Sequence, residues 1–419
     1  MQFENVTCPH CGILCDDLSI DVNGSVLKPV NALDKHCMKA YEDASFEEST
    51  LFTPIVDGKK TSLDDAIKKA SELLNSSKQT LVSGLIADVQ SCREAVALTD
   101  KLQGVIDHAN GSGMIANVAV MQRHGKVKTT LAEARNRADN VIIFGSEVLN
   151  RFPRFLDRIL SPKKTLGNNS TINKTITIID SQIATSPIEF NQKNIQYLKL
   201  NALSLDSIIQ NLQRVVHDNP DPSELHDDDT KALISIYQTM LSSNYTTMVW
   251  NTGLFDNDIA EQTVQALTMM IRAIMKTHRC VGLPLGGSKG EITASQVATW
   301  QTGVPLPISF STGAPIHDPL LYNGMSMLEN KEADCLVWVA TYSPDDTPPK
   351  TDIPTIVIGH PKMKIDNDSA VFIPVGVPGI DTRGLACRTD SVATLPLQKI
   401  RSVDLPTAQD VLIKITGML

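Results

Sequence analysis

The chain has 419 residues, 42% of them hydrophobic and 20% charged, an ordinary globular composition with room for two or three domains. Its formal net charge of -9 leaves no basic field for nucleic acid or an anionic membrane surface. Apolar runs such as NVIIFG and CLVWVA are too short to span a bilayer, and MQFENVTCPH lacks the basic and apolar regions of a secretory signal. A soluble, cytoplasmic protein is expected.

In chain order, residues 1–52 are polar and cysteine-rich and are expected to form a small cap around their thiols. From Thr53 the pattern turns to helices alternating with short apolar strands. In TSLDDAIKKASELLNSS, Ser62 and Asp65 have nearly capping-box spacing, and Leu63, Ala66, Ile67, Ala70 and Leu74 fall on one helical face. QTLVSGL reads as a buried strand. SCREAVALTDKLQG repeats the helical scheme, with Ser91 and Glu94 as its expected box. VIDHAN and NVIIFG are the next strands, followed by two turn-rich or acidic loops, SPKKTLGNNSTINKTITIID and DNPDPSELHDDDT. TTMVWNTGL, DCLVWVAT, TIVIGH and AVFIPVG supply the later strands. Strands alternating with helices predict parallel α/β layers.

Four of the eight cysteines, Cys8, Cys11, Cys15 and Cys37, form C-x2-C-x3-C followed by a distant fourth thiol. A local cluster in a large chain points to metal binding rather than to a disulfide framework. Thiolates close in sequence can wrap one face of a metal, and the fourth closes the shell. Zinc ribbons pair two C-x2-C knuckles, and Cys37 has no partner knuckle, so a four-iron four-sulfur cluster is favoured over zinc or a metal-free relic. Other motifs are weaker. Gly111, Gly113 and Ala116 match G-x-G-x-x-A formally, yet a tight turn into a helix is the better reading. The turns GLPLGGSKGE and PVGVPGIDTRG have no phosphate-loop pattern, and His108, His124, His317 and His360 show no ligand spacing.

Taken together, these pieces resemble the molybdopterin-type oxidoreductases, and within them the B subunit of formylmethanofuran dehydrogenase. The resemblance rests on CPHCGILCDD, on LAEARNRADNVIIFGSEVLNRFPR, on VATWQTGVPLPISFSTG and on VPGIDTRGLACRTDSV. It implies an α/β, molybdopterin-oxidoreductase-like fold: the cap at 1–52, a first α/β domain from 53–136 and 279–396, a second inserted at 137–278, and a C-terminal segment 397–419. It also implies that Cys8, Cys11, Cys15 and Cys37 hold the cluster.

Departures from the family pattern narrow the reading. The dehydrogenase subunits carry a tungsten- or molybdenum-ligating cysteine upstream of N-R-A-D, whereas here no cysteine lies between Cys92 and Cys280. Glu147 follows the strand NVIIFG where a pyrophosphate-bearing pterin would meet repulsion. The family's closing glycine is lost in CRTDSV. This pattern resembles the branch found in the formyltransferase/hydrolase complexes of methylotrophs. Membership there implies a B-type scaffold subunit whose own catalytic activity and molybdopterin or tungstopterin are lost. Its implied partners are an amidohydrolase-like A subunit, a transferase D subunit and a C subunit. The alternative is an active tungsten or molybdenum enzyme that uses Ser112 as metal ligand, with Lys39 bridging cluster and pterin.

Overall fold

The computed structural model describes residues 1–419 apart from 32–34, 48–49, 110, 163–164, 167–172, 185–193, 203, 221–226, 288 and 366–369, and apart from the side chains at 112 and 370. These residues fall into two compact units, Met1–Gly111 with Gly287–Leu419, and Ser112–Gly286.

The chain opens with a three-stranded antiparallel sheet, β1 (Gln2–Val6), β2 (Leu18–Asn23) and β3 (Val26–Pro29), followed by helix α1 (Lys35–Ala44). A short hairpin, β4 (Ile55–Val56) and β5 (Lys59–Lys60), leads to helix α2 (Leu63–Ser76). As its spacing predicts, the Ser62 hydroxyl accepts from the Asp65 N–H at 3.1 Å. Strand β6 (Thr80–Ile86) is buried along its whole length, the signature of a parallel strand covered on both faces.

Helix α3 (Val89–Leu102) corrects one expectation. It starts earlier than a Ser91 cap requires, because Asp88 is the N-cap and its carboxylate accepts from both the N–H and the hydroxyl of Ser91. An aspartate oxygen fits that position as well as serine does. Strand β7 is shorter than VIDHAN suggests, only Val105–Ile106.

The chain then leaves for the second unit through helices α4 (Gly111–His124) and α5 (Leu131–Asn136). Ala116 and Val120 of α4 join that unit's core, so the helix belongs with the insertion, although the sequence boundary at 137 leaves it in the first domain. Strand β8 (Asn140–Phe144), helix α6 (Glu147–Arg151), strands β9 (Thr175–Asp180) and β10 (Ile195–Lys199), and helices α7 (Leu205–Asp218) and α8 (Asp228–Ser242) follow. Strand β9 corrects the expected loop, whose last six residues, TITIID, pair parallel with β8 and bury the β-branched side chains from Ile176 to Ile179. Strand β11 (Thr246–Trp250), helix α9 (Ala260–Ile274) and strand β12 (Cys280–Pro284) complete the insertion. Its sheet is entirely parallel, in the order β10-β9-β8-β11-β12. Helix α7 shows why these segments fold as they do. Ser204 caps it, Leu205, Ile208, Ile209, Leu212, Val215 and Val216 bury one face, and Asn219 ends it in the left-handed region.

Back in the first unit come helix α10 (Glu291–Thr302), strands β13 (Ile308–Ser309) and β14 (Ile316–His317), and helix α11 (Gly324–Glu329). Strands β15 (Cys335–Ala340), β16 (Thr355–Gly359) and β17 (Ala370–Pro374) match the predicted apolar runs. The hairpin β18 (Gly384–Cys387) and β19 (Thr394–Leu397) precedes helix α12 (Ala408–Met418). The main sheet runs β14-β13-β7-β6-β15-β16-β17-β4-β5, with β7-β6-β15-β16-β17 parallel and antiparallel strands at both edges. Ala408, Val411, Leu412 and Ile415 of α12 enter the core beside Ala70, Leu98 and Val375. The C-terminal segment is therefore an integral helix of this unit.

Candidate functional site

The four cysteines come together in the cap. Cys8 leaves β1 and its N–H donates to the Cys15 carbonyl at 2.8 Å, closing the loop. Gly12 at φ 76° and Leu14 at φ 52° make the reversal between them. The Thr389 N–H donates to the Gly12 carbonyl, and Gly379 lies against Pro9, so the loop is seated on the C-terminal turns of the same unit. Helix α1 delivers Cys37. Cys8 and Cys15 are buried, Cys11 and Cys37 half-buried, and all eight cysteines of the chain are thiols.

Burial pushes the Cys11 thiol well above its ordinary range. Negative charge on Cys8, Cys15 and Cys37 pushes it further, against a lowering hydrogen bond from the Ile13 N–H. All three other thiols are thus within electrostatic reach of Cys11. Among the described residues no group of three or more His, Cys, Asp or Glu side chains is arranged to hold a metal ion. The donor chemistry nevertheless fits a thiolate-bound metal. Two buried and two half-buried sulfurs that repel one another when ionised favour a cation that removes their protons and offsets their charge.

Around the thiols are groups that cysteine spacing alone does not reveal. The His10 ring packs edge-on against Tyr41 at 5.7 Å and Tyr342 at 6.4 Å between centroids. Burial, aided by Lys289, lowers His10 to about 4. Lys39 is exposed and paired with Asp43 at 2.8 Å and Asp345 at 2.7 Å, a solvated ion-pair arrangement. Arg401, four per cent exposed, donates to the Asp381 carboxylate and to the Ser25 and Ala44 carbonyls, each at 2.8 Å. It fastens the cap to the unit beneath.

In open α/β sheets the crevice where strand order reverses is the usual ligand site. In the first unit that point lies between β6 and β15, and the protein fills it. Gly290 sits there at φ +89°, where an added Cβ would stand 2.6 Å from the Ala87 carbonyl oxygen and 3.0 Å from the Tyr342 ring. The N-terminus of α3, an anion site in nucleotide-binding folds, is capped by the carboxylate of Asp88. In GLPLGGSKGE, Gly287 serves close packing: a Cβ there would meet Ile292 at 2.9 Å.

In the second unit the reversal lies between β8 and β11. A Cβ on Gly145, at φ +88°, would meet Leu254 at 2.8 Å and Leu205 at 3.0 Å. The Ser146 N–H donates to Asp180, the Gly253 N–H to Asn251, and the Thr252 hydroxyl to the Gly113 carbonyl. Gly111 and Gly113 lie within α4, so the G-x-G-x-x-A match marks helix packing. Glu147 is exposed and accepts from the Asn150 amide at 2.7 Å.

The stretch that matches the family's metal-thiolate region begins at His108, just after β7, and Asp107 precedes it. Asp107 accepts from the His108 N–H at 2.8 Å and the Gly324 N–H at 2.9 Å, and burial raises it to about 6. Burial lowers His108 to about 4. The Ser112 side chain lies outside the described residues. His108 and His360 are core histidines, as their isolated spacing predicts.

No family model matches the chain. It is 23% identical over 410 residues to the B subunit of tungsten-containing formylmethanofuran dehydrogenase 2 from Methanococcus maripaludis, covering 95% of this chain and 94% of that one. It is 22% identical over 331 residues to the B subunit of the formyltransferase/hydrolase complex Fhc from Methylorubrum extorquens, 78% of this chain and 86% of that one. A crystal structure of the formyltransferase/hydrolase complex FhcABCD from M. extorquens with methylofuran contains a chain of the same fold. The match has a TM-score of 0.71 at 21% identity and covers 87% of this chain and 98% of that one. The chain is accordingly a relative of the B subunits of formylmethanofuran dehydrogenase and of the formyltransferase/hydrolase complex.

Proposed function

We propose that the chain is the B subunit of a formyltransferase/hydrolase complex in tetrahydromethanopterin-linked one-carbon metabolism, and that it works there as a scaffold without redox chemistry of its own. The observation that carries this reading is the missing thiol: no cysteine lies between Cys92 and Cys280 to ligate tungsten or molybdenum. Asp107, at the end of β7, accepts two backbone N–H groups and ties that strand end to α11. Filled crevices at Gly290 and Gly145 support the same reading, because a pterin would have to displace packed side chains and backbone. The complex would act in the cytoplasm, with an amidohydrolase-like A subunit, a transferase D subunit and a C subunit as partners. Among the described residues no helix is long and apolar enough to cross a membrane.

In the cap, Cys8, Cys11, Cys15 and Cys37 would hold a four-iron four-sulfur cluster. When bound, such a cluster supplies cross-links between the loop and α1 that a cap of this size cannot build from apolar contacts alone. The chain's own contribution would be the four thiols, with the Ile13 N–H donating to Cys11.

The match to the tungsten-containing relative spans more of the chain than the match to the Fhc relative. That favours one second reading, an active tungsten or molybdenum enzyme with Ser112 as ligand. Elemental analysis of the assembly purified without oxygen separates the two. Copurification with amidohydrolase-like and transferase subunits, without either metal, is expected. Tungsten or molybdenum near one per chain, with formylmethanofuran-dependent dye reduction, would overturn the scaffold reading.

A further inference from the structure

The sheet of the second unit changes character along one face. Ile142, Phe144 and Ile179 join the core with Ile208 and Leu212 of α7 and Ile236 of α8. Toward the N-terminal strand ends the register places Asn140, Thr175, Thr177 and Gln196 on that same face, all polar. Helix α8 covers them with Ala232, Ser235, Ile236 and Thr239, one stripe at helical spacing. A cleft of about 120 Å³ lies between helix and sheet, where a layer contact is ordinarily apolar and closed. Its mouth is at exposed Thr175, Gln196 and Ser235, and its floor is buried Asn140, Ile142 and Thr177.

Asn140 carries the sharpest sign of an occupant. It is one per cent exposed, and its amide nitrogen donates to the Thr246 hydroxyl of β11 at 3.1 Å. The carbonyl end of the amide therefore lies on the β9 side, where Thr175 and Thr177 line the cleft. That buried oxygen finds no donor among the described residues. An unpaired buried amide oxygen is costly, and a leucine would fill the same place without it. The polar floor is therefore explained by a molecule that supplies the missing hydrogen bonds.

We propose that this cleft binds a small uncharged polyhydroxy compound of pentose size. Among the described residues no charged side chain lines it, and an ion there would lose its water without gaining a partner. Asn140, Thr177, Gln196 and Ser235 offer amide and hydroxyl groups that both donate and accept, as neighbouring hydroxyls require. Ile142, Leu198, Ala232 and Ile236 supply apolar surface for the C–H groups of such a molecule. A single water needs roughly 10–15 Å³ of such space, so the cleft takes roughly eight to twelve non-hydrogen atoms. It stands at the N-terminal ends of β8 and β9, away from the carboxyl ends where strand order reverses. The site is thus independent of the scaffold and metal-site readings.

The experiment is saturation-transfer NMR on the full-length chain, with D-ribose and xylitol as probes and cyclopentanol as the control of similar size with one hydroxyl. Both probes should saturate the protein at about 10 mM or below, and cyclopentanol should show no saturable transfer. Asn140→Leu removes the unpaired oxygen together with the Thr246 bond, so two gentler variants carry the test. Thr177→Val keeps the side-chain shape, removes one floor hydroxyl and should weaken both probes about fivefold or more. Ser235→Phe closes the mouth from an exposed position and should abolish saturation, while melting close to wild type. Failure of both probes to saturate would overturn the proposal, as would equal binding of cyclopentanol. Wild-type affinity in both Thr177→Val and Ser235→Phe would also overturn it, by placing the binding elsewhere.

Discussion

Replacing Arg401 with methionine should loosen the cap before anything else in the protein opens. The guanidinium makes three 2.8 Å bonds, through Nε to Asp381 and through Nη1 to the Ser25 and Ala44 carbonyls, and its face lies 4.2 Å above the Phe46 ring centroid. Ser25 lies in the β2–β3 turn and Ala44 ends α1, so both carbonyls belong to the cap. Methionine keeps much of the stem volume and removes all three bonds. Asp381 is then left buried with the Val377 N–H at 3.0 Å. Removing one partner of a buried pair costs about 3–5 kcal/mol, most of it from the charge left behind. At about 1.4 kcal/mol per factor of ten, the opening equilibrium of the cap rises by roughly two to three and a half orders of magnitude. Amide hydrogen exchange read peptide by peptide is the assay, and β2, β3 and α1 should lose protection while β8 and β11 keep theirs. The double variant Arg401→Met with Asp381→Leu should recover about 1–3 kcal/mol relative to additivity. A loss below about 1 kcal/mol, the range of an exposed pair, would refute this account, as would protection lost evenly across the chain.

Asp88→Ala should destabilise by about 1 kcal/mol in urea unfolding, while Glu94→Ala should stay within about 0.5 kcal/mol, since the cap of α3 is the aspartate. Burial lowers His360 from 6.5 to about 3, with Lys362, His10 and Arg401 adding to the effect. The folded protein keeps this ring neutral while the unfolded chain protonates it, so its contribution is complete above pH 6.5 and is lost as the pH falls toward 3. The unfolding free energy should drop by up to about 1.4 kcal/mol per pH unit from this group in that window. His360→Leu should flatten the slope, and an unchanged slope would show that the ring does not titrate as its burial demands. Gly290→Ala combines φ +89° with a 2.6 Å approach to the Ala87 carbonyl and should cost about 1–3 kcal/mol. Gly286→Ala, where an added Cβ meets nothing within 4 Å, should melt close to wild type.

Much of the architecture was legible because it is local. Period-2 and continuous apolar runs became β6, β8, β11, β15, β16 and β17, and the spacing from Ser62 to Leu74 became α2. The four cysteines stood out as a local group because residue type and short spacing alone reveal them. Where local chemistry offers equivalents, sequence reading slipped: Asp88 and Ser91 are both acceptable helix starts, and the choice between them follows from where β6 ends.

The sequence by itself determined the alternation of helices with most of the buried strands, the local group of four cysteines, and the lack of any thiol for a catalytic metal between Cys92 and Cys280. Those properties depend on residue type and short spacing. Only the tertiary structure decided that Arg401 and Asp381 lock the cap, that α4 and α12 enter the cores of different units, and that Gly290 and Gly145 sit where the two sheets reverse. Each of these depends on groups far apart in the chain meeting in a desolvated place. A buried arginine carries the same letter as an exposed one, and its partners are chosen by packing.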